Sequence, residues 1–258
     1  MSPRHTDDDG REVWGPWALS IAGTSHAGRV RMTNEDAFDR FDDPARGEIL
    51  LVVADGLGGH RSGEVASAMV VGTLGDMGRV GGAAASARLS AAVKRANREI
   101  FERAAASPRL MGMGTTVVAL LLSAEGPACV AHVGDSRLYR LRQGSLAALT
   151  EDHSLAAQLL RNGEITEEEA RVHPRRSVLI RAVGVDPRVQ VEVVPVEIRA
   201  ADTYLLCSDG IYEMLRDEEI REILTRAPDA HAAVAWLVDA ANQNGGKDNA
   251  TALVVQVS

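Results

Sequence analysis

The chain is 258 residues long, 45% apolar and 25% charged, the balance of an ordinary globular protein. Its 28 Lys and Arg stand against 36 Asp and Glu, and the net charge of −8 excludes nucleic acid as the main ligand, since a phosphate backbone demands a basic face. No stretch approaches the roughly 18 consecutive apolar residues of a membrane span, and the start has no apolar signal core, so a cytoplasmic protein is expected.

Residues 1–15 are polar and expected to be flexible, and residues 16–258 to form a single domain, because no Pro/Gly/Ser linker divides them. Runs rich in Val, Leu and Ile predict strands at 17–24 and 47–54. Ser62 is placed to cap a helix over 62–76, with Val65, Ala66, Met69 and Val70 on one face. Leu89, Val93, Ala96 and Ile100 recur at helical spacing in a second helix over 86–106. Strands follow at 114–123, 127–133 and 137–142, punctuated by Glu125-Gly126-Pro127 and by Gly134. Residues 154–172 are helical in character, and Thr166 to Glu169 reads as a capping box. Strands at 189–198 and 203–208, helices at 217–226 and 229–242, and a strand at 250–257 complete the chain. Cys129 and Cys207 lie in strand runs without a CxxC pair and read as free, buried thiols in a reducing compartment. Strands in adjacent pairs, with helices grouped between them, predict an α+β fold of antiparallel sheets rather than a doubly wound parallel one.

Four aspartates stand where strand-like runs end or begin: Asp55, Asp135, Asp209 and Asp248. Each alone also reads as a turn or cap residue, Asp55-Gly56 and Asp209-Gly210 as hairpin pairs above all. Both of those pairs, however, lead into helical patterns instead of a partner strand. If the four ends converge, they form a set of hard oxygen donors that repel one another unless a cation such as Mg²⁺ or Mn²⁺ joins them. A metal-assisted hydrolase is the expectation.

Seven strings carry a resemblance: VRMTNEDAF (30–38), VVADGLGGHRSGEVAS (52–67), MGTTVVAL (113–120), AHVGDSRLYRL (131–141), LTEDHS (149–154), LLCSDG (205–210) and GKDNATALVV (246–255). In this order, from Val30 to Val255, they resemble the protein phosphatase 2C family of metal-dependent Ser/Thr phosphatases, and its bacterial branch in particular. The resemblance implies an αββα sandwich, two antiparallel β-sheets flanked by α-helices. It implies Mn²⁺ or Mg²⁺, two to three ions per chain, with Asp55, the carbonyl of Gly56, Asp209 and Asp248 as direct ligands and Asp36 acting through waters. Asp135, with Asp209, matches the position of a third, weaker metal. Arg31 matches the arginine that grips the substrate phosphate, and Asn249 a residue orienting Asp248 or a bound water.

The chemistry implied is direct attack on phosphorus by a hydroxide bridging two metals about 3.5–4 Å apart, without a phosphoenzyme. Many relatives carry His or Met at the position of Leu57, and a His there is proposed to protonate the leaving oxygen. Leu57 cannot, so a metal-bound water or another side chain takes that part. His60 and His153 read as residues bonding backbone. The segment at about 155–185 resembles the family's flap, where Arg175 and Arg176 are expected to help receive acidic or phosphorylated segments. The implied partners are phosphorylated proteins, a Ser/Thr kinase and its substrates among them, with the chain a monomer. Two other readings stand beside this one: a hydrolase of small phosphoesters, and a regulatory domain of weak catalysis.

Overall fold

The computed structural model describes residues 12–58, 62–79, 84–124 and 126–258. The first part of the chain forms β1 (Glu12–Trp14), β2 (Trp17–His26), β3 (Asp36–Asp43), β4 (Glu48–Leu57), α1 (Ser62–Gly75) and α2 (Ala85–Ala105). Five strands follow: β5 (Gly114–Thr115), β6 (Val117–Ser123), β7 (Ala128–Val133), β8 (Arg137–Arg142) and β9 (Ser145–Ala148). Then come α3 (Leu155–Arg161), α4 (Glu167–Val172), β10 (Glu192–Val196), β11 (Thr203–Cys207), α5 (Asp209–Tyr212), α6 (Asp217–Arg226), α7 (Ala230–Gln243) and β12 (Ala250–Val257).

One sheet has the order β1-β2-β12-β11-β8-β9, the other β10-β7-β6-β4-β3 with β5 paired to β4, and every pairing is antiparallel. Alternation along each strand decides the layers. In β4, Leu50, Val52 and Ala54 face the helices α1 and α2, while Ile49, Leu51 and Val53 face the opposite sheet. In β11 and β12, Leu205, Cys207, Ala252 and Val254 pack under α6 and α7, while Tyr204, Leu206, Leu253 and Val255 meet the first set between the sheets. Both faces of each central strand are therefore buried, which is why these strands read as continuous apolar runs. The result is the expected αββα sandwich.

Several elements differ from the sequence reading. β3, with the sequence DAFDRFDD, went unread as a strand because it is an edge strand with five charged residues among its eight, Asp39 and Asp42 exposed, and its few apolar side chains, Ala37, Phe38 and Phe41, divide between two faces. The run 114–123 is broken at Thr116, and 189–198 pairs only over Glu192–Val196. Gly163, at φ +72°, lies between α3 and α4, so 154–172 is two helices. Residues 1–11 of the expected flexible segment lie outside the described residues, and Glu12–Trp14 pair with β2 through the turn at Gly15. Both cysteines are free and buried.

Candidate active site

Antiparallel register brings the C-terminal ends of β4, β7 and β11 and the N-terminal ends of β3 and β12 to one end of the sandwich. Asp36 stands directly opposite Asp55 across the β3–β4 pair. Asp209 opens α5 immediately after β11, and Asp248 precedes β12, the partner strand of β11. The two sheets are joined at this end through Asp36: its Oδ2 accepts hydrogen bonds from the Ser208 hydroxyl at 2.7 Å and the Thr251 hydroxyl at 2.6 Å, both on the opposite sheet's edge of the site. Ser25 lies 2.7 Å from Thr251 and is itself reached by the Asn34 amide at 2.7 Å, so the network extends from β12 through β2 to the 27–35 loop.

The electrostatics of this end are those of carboxylates held too close. Burial raises Asp55 well above the usual carboxylate range, and the charges of Asp36, Asp209, Asp135 and Asp248 push in the same direction. Asp209 is raised by burial and then by Asp135, Asp248, Glu213 and Asp36. Burial lifts Asp36 to about 6 although the Thr251 and Ser208 hydroxyls pull it down. Two oxygens, Asp36 Oδ1 and Asp209 Oδ1, are buried without a hydrogen-bond partner. Acceptor oxygens in that condition are costly unless a proton or a cation meets them.

Close backbone packing sets the positions. A Cβ on Gly56 would overlap the backbone of Gly63 at the start of α1, and one on Gly210 would overlap the Asn249 carbonyl. Only glycine lets β4 meet α1, and α5 meet β12, at these distances. The Asp55 amide donates to Thr116 Oγ1 at 2.9 Å, and its carbonyl accepts from the Thr115 hydroxyl at 2.8 Å. Leu57 pairs with Gly114 at the end of β4.

Arg31 is 53% exposed at its side chain and donates from Nη2 to Asp248 Oδ2 at 2.6 Å. That bond raises its pKa further, and the charges of Asp248, Asp209 and Asp55 add to it. Asn249 is buried and clasps the loop that carries Arg31. Its Nδ2 donates to the carbonyls of Ala27 and Thr33 at 3.0 and 2.9 Å, and its Oδ1 accepts from the Glu35 amide at 2.8 Å. Only its backbone amide reaches Asp248, at 2.9 Å from Oδ1.

Asp135 lies beyond β7 and is only 7% exposed. Burial raises its carboxyl to about 7, Asp152 adds to this, and Arg137 opposes it. Gly134 before it is clamped by His153, whose amide donates to the Gly134 carbonyl at 3.0 Å and whose Nδ1 accepts from the Gly134 amide at 3.1 Å. Since Nδ1 accepts, Nε2 carries the proton and donates to Glu192 Oε2 at 3.2 Å. The stacked ring of His132, 4.7 Å away, completes a packed group of His132, His153 and Glu192, in which the Gly134 amide sets the tautomer of His153. His153 therefore bonds backbone, as its place before a helix suggested. His60 lies outside the described residues.

The flap expectation fares differently. Arg176 is held by Glu213 through two bonds of 3.1 Å, and the Arg175 amide donates to its neighbour His173 at 3.2 Å. The residues that sequence reasoning missed are Ser208, Thr251, Thr115 and Thr116. Their only signal is a hydroxyl beside an aspartate or glycine at a strand end, as in CSDG and NATA, too common to single out.

Comparison with known proteins adds the following. Residues 22–253 match the family model described as protein phosphatase 2C. Over 234 residues the chain is 42% identical to the serine/threonine phosphatase stp of Listeria monocytogenes, covering 89% of this chain and 92% of that one. The crystal structure of the Mycobacterium tuberculosis serine/threonine phosphatase PstP/Ppp superposes with a TM-score of 0.83 at 38% identity, covering 92% of this chain and 98% of that one. The catalytic domain of PstP in complex with two manganese ions superposes with a TM-score of 0.79 at 36% identity, covering 93% and 98%.

Proposed function

The chain belongs to the protein phosphatase 2C family and is a protein serine/threonine phosphatase; from that premise we propose that Asp36, Asp55, Asp209 and Asp248, with the carbonyl of Gly56, hold the divalent cations of its active site. The observation that carries this reading is the pair of buried, unpartnered oxygens, Asp36 Oδ1 and Asp209 Oδ1, amid mutually raised carboxylates. An all-oxygen donor set suits Mn²⁺ or Mg²⁺, two to three ions per chain, and Asp135 with Asp209 would hold the third. The manganese ions in the structure of the related PstP domain support the same choice.

Bound cations supply positive charge for the phosphoryl oxygens and lower the pKa of water at the site. The chain's own residues supply position. The Ser208 and Thr251 hydroxyls aim Asp36 by holding Oδ2, which leaves Oδ1 turned away from them. Asn249 fastens the 27–35 loop to β12, so that Arg31 and Asp248 keep a common frame. Arg31, with a second face of its guanidinium open to solvent, binds the phosphoryl oxygens of the incoming ester and orients phosphorus for in-line attack. We read residues 16–258 as one catalytic domain with a flap at 155–185. It acts as a cytoplasmic monomer on phosphorylated proteins and opposes a Ser/Thr kinase.

The test is hydrolysis of a phosphothreonine peptide with Mn²⁺, with EDTA, and by Asp209→Asn in Mn²⁺. Activity is expected only in the intact, Mn²⁺-loaded protein, with the variant lower by more than about 100-fold. Full activity in EDTA, or a variant within a few-fold of the native chain, overturns the assignment.

A further inference from the structure

Beside the carboxylate cluster lies a groove of 1430 Å³, bounded by α3 and α4 of the flap on one side and by α5 and the start of α6 on the other. Its volume exceeds the roughly 300–1,000 Å³ of small-molecule pockets and leaves room for a stretch of polypeptide. Asp135, nine-tenths buried, lines the groove and also contributes to the charges felt by Asp55 and Asp209. The groove is thus continuous with the site where the phosphorylated side chain is processed.

Its walls carry eight carboxylates against five guanidiniums. Three of the five are engaged within the protein. Arg137 forks onto Asp152 at 2.9 and 2.7 Å and lies 3.6 Å over the ring of Tyr212. Arg176 forks onto Glu213, and Arg161 meets Glu151 at 3.1 Å. With those pairs matched and Asp135 set aside for the metal site, Arg171 and Arg216 face Glu167, Asp217, Glu218 and Glu219. The start of α6 offers about half a positive charge, which offsets part of this surplus and not all of it. The surplus is negative although the flap sequence itself looks basic.

We infer that this groove receives Lys or Arg residues flanking the phosphorylated Ser or Thr, so that the enzyme prefers phosphosites in basic sequence. The inference rests on the phosphatase reading and names the substrate class of that same site. It also reverses the expectation drawn from Arg175 and Arg176, because Arg176 is neutralised by Glu213. The occupant is the substrate's own chain: its phosphate goes to the carboxylate-lined site and its basic flank to Glu167 and Glu218.

Three phosphothreonine peptides test this, alike except for Lys, Ala or Glu at the three positions on each side of the phosphothreonine. At about 50 mM salt, kcat/KM is expected to run Lys above Ala above Glu, with a spread on the order of tenfold for two or three exposed pairs. At about 500 mM salt the spread should fall to about twofold or less as these pairs are screened. In Glu167→Lys/Glu218→Lys the ratio of Lys to Glu peptide should drop to unity or below, and because each ratio is taken within one protein, a loss of folded material does not disturb it. Equal rates, a preference for the Glu peptide, a spread that survives high salt, or a ratio unchanged in the double variant overturns the inference. If none of the peptides and no small aryl phosphate is hydrolysed, the phosphatase reading itself has failed, which is a distinct result.

Discussion

Asp36 shows how little of a site is carried by its charged residues alone. Its Oδ2 takes both hydroxyl bonds, from Ser208 and Thr251, and this asymmetry directs Oδ1. Replacing Thr251 with Val removes one bond from a buried carboxylate, a loss of about 1–3 kcal/mol measured by denaturant unfolding. The same bond holds the Asp36 pKa down, so the acidic limb of the activity–pH profile should move to higher pH in Thr251→Val. A profile that stays in place would show that Asp36 is not oriented through this hydroxyl. Asp55, Asp135 and Asp209 were legible because they end apolar runs and Asp248 because it precedes one, whereas Asp36 and Arg31 were read only from the family resemblance of VRMTNEDAF. Ser208 and Thr251 were not legible, since their value comes from facing β3, which lies far away along the chain.

At the level of elements, helices and central strands declared themselves by period and burial, whereas β3 did not, because an edge strand needs only one well-buried neighbour and tolerates charge. The split of the flap into α3 and α4 turns on Gly163, whose left-handed backbone a helical reading of the segment passes over. His153 shows what the flap is fastened to. Its amide and Nδ1 both bind Gly134, its carbonyl accepts from the Ile180 amide at 2.9 Å, and its Nε2 meets Glu192. One residue thereby stitches the turn that carries Asp135 to the returning arm of the flap. In His153→Ala the Gly134 amide loses its buried acceptor, and stability should fall by about 1–3 kcal/mol. Amide exchange at Gly134 should quicken by more than at the centre of β7, and unchanged protection at Gly134 would show that the clamp is not needed.

For the molecule as a whole, the gathered carboxylates make stability depend on pH. An acid whose folded pKa lies above its unfolded value binds more protons when folded, so its contribution to stability is undiminished below the ordinary carboxylate range. It is lost as pH rises through the folded value, here about 6 for Asp36 and about 7 for Asp135. The buried imidazole of His132 has the opposite sign, since burial lowers it to about 4 and it favours the fold as pH rises past its ordinary value. Comparing thermal melts with Mn²⁺ and with EDTA cancels that term. The Mn²⁺-induced rise in Tm should be about 5–10 °C at about pH 7.5 and saturating metal, and clearly smaller at about pH 5. A rise independent of pH would mean that the cations do not displace protons from these aspartates.

Asp36 and Asp55 stand opposite each other on one sheet, while Asp209 and Asp248 lie just beyond the paired ends of β11 and β12 on the other, which has a consequence for the order of events during folding. If these four aspartates hold the cations as proposed, each sheet by itself carries only half of the donor set. Catalytic competence then arises only when the two faces dock, so the first turnover of a refolding chain marks the closing of the sandwich.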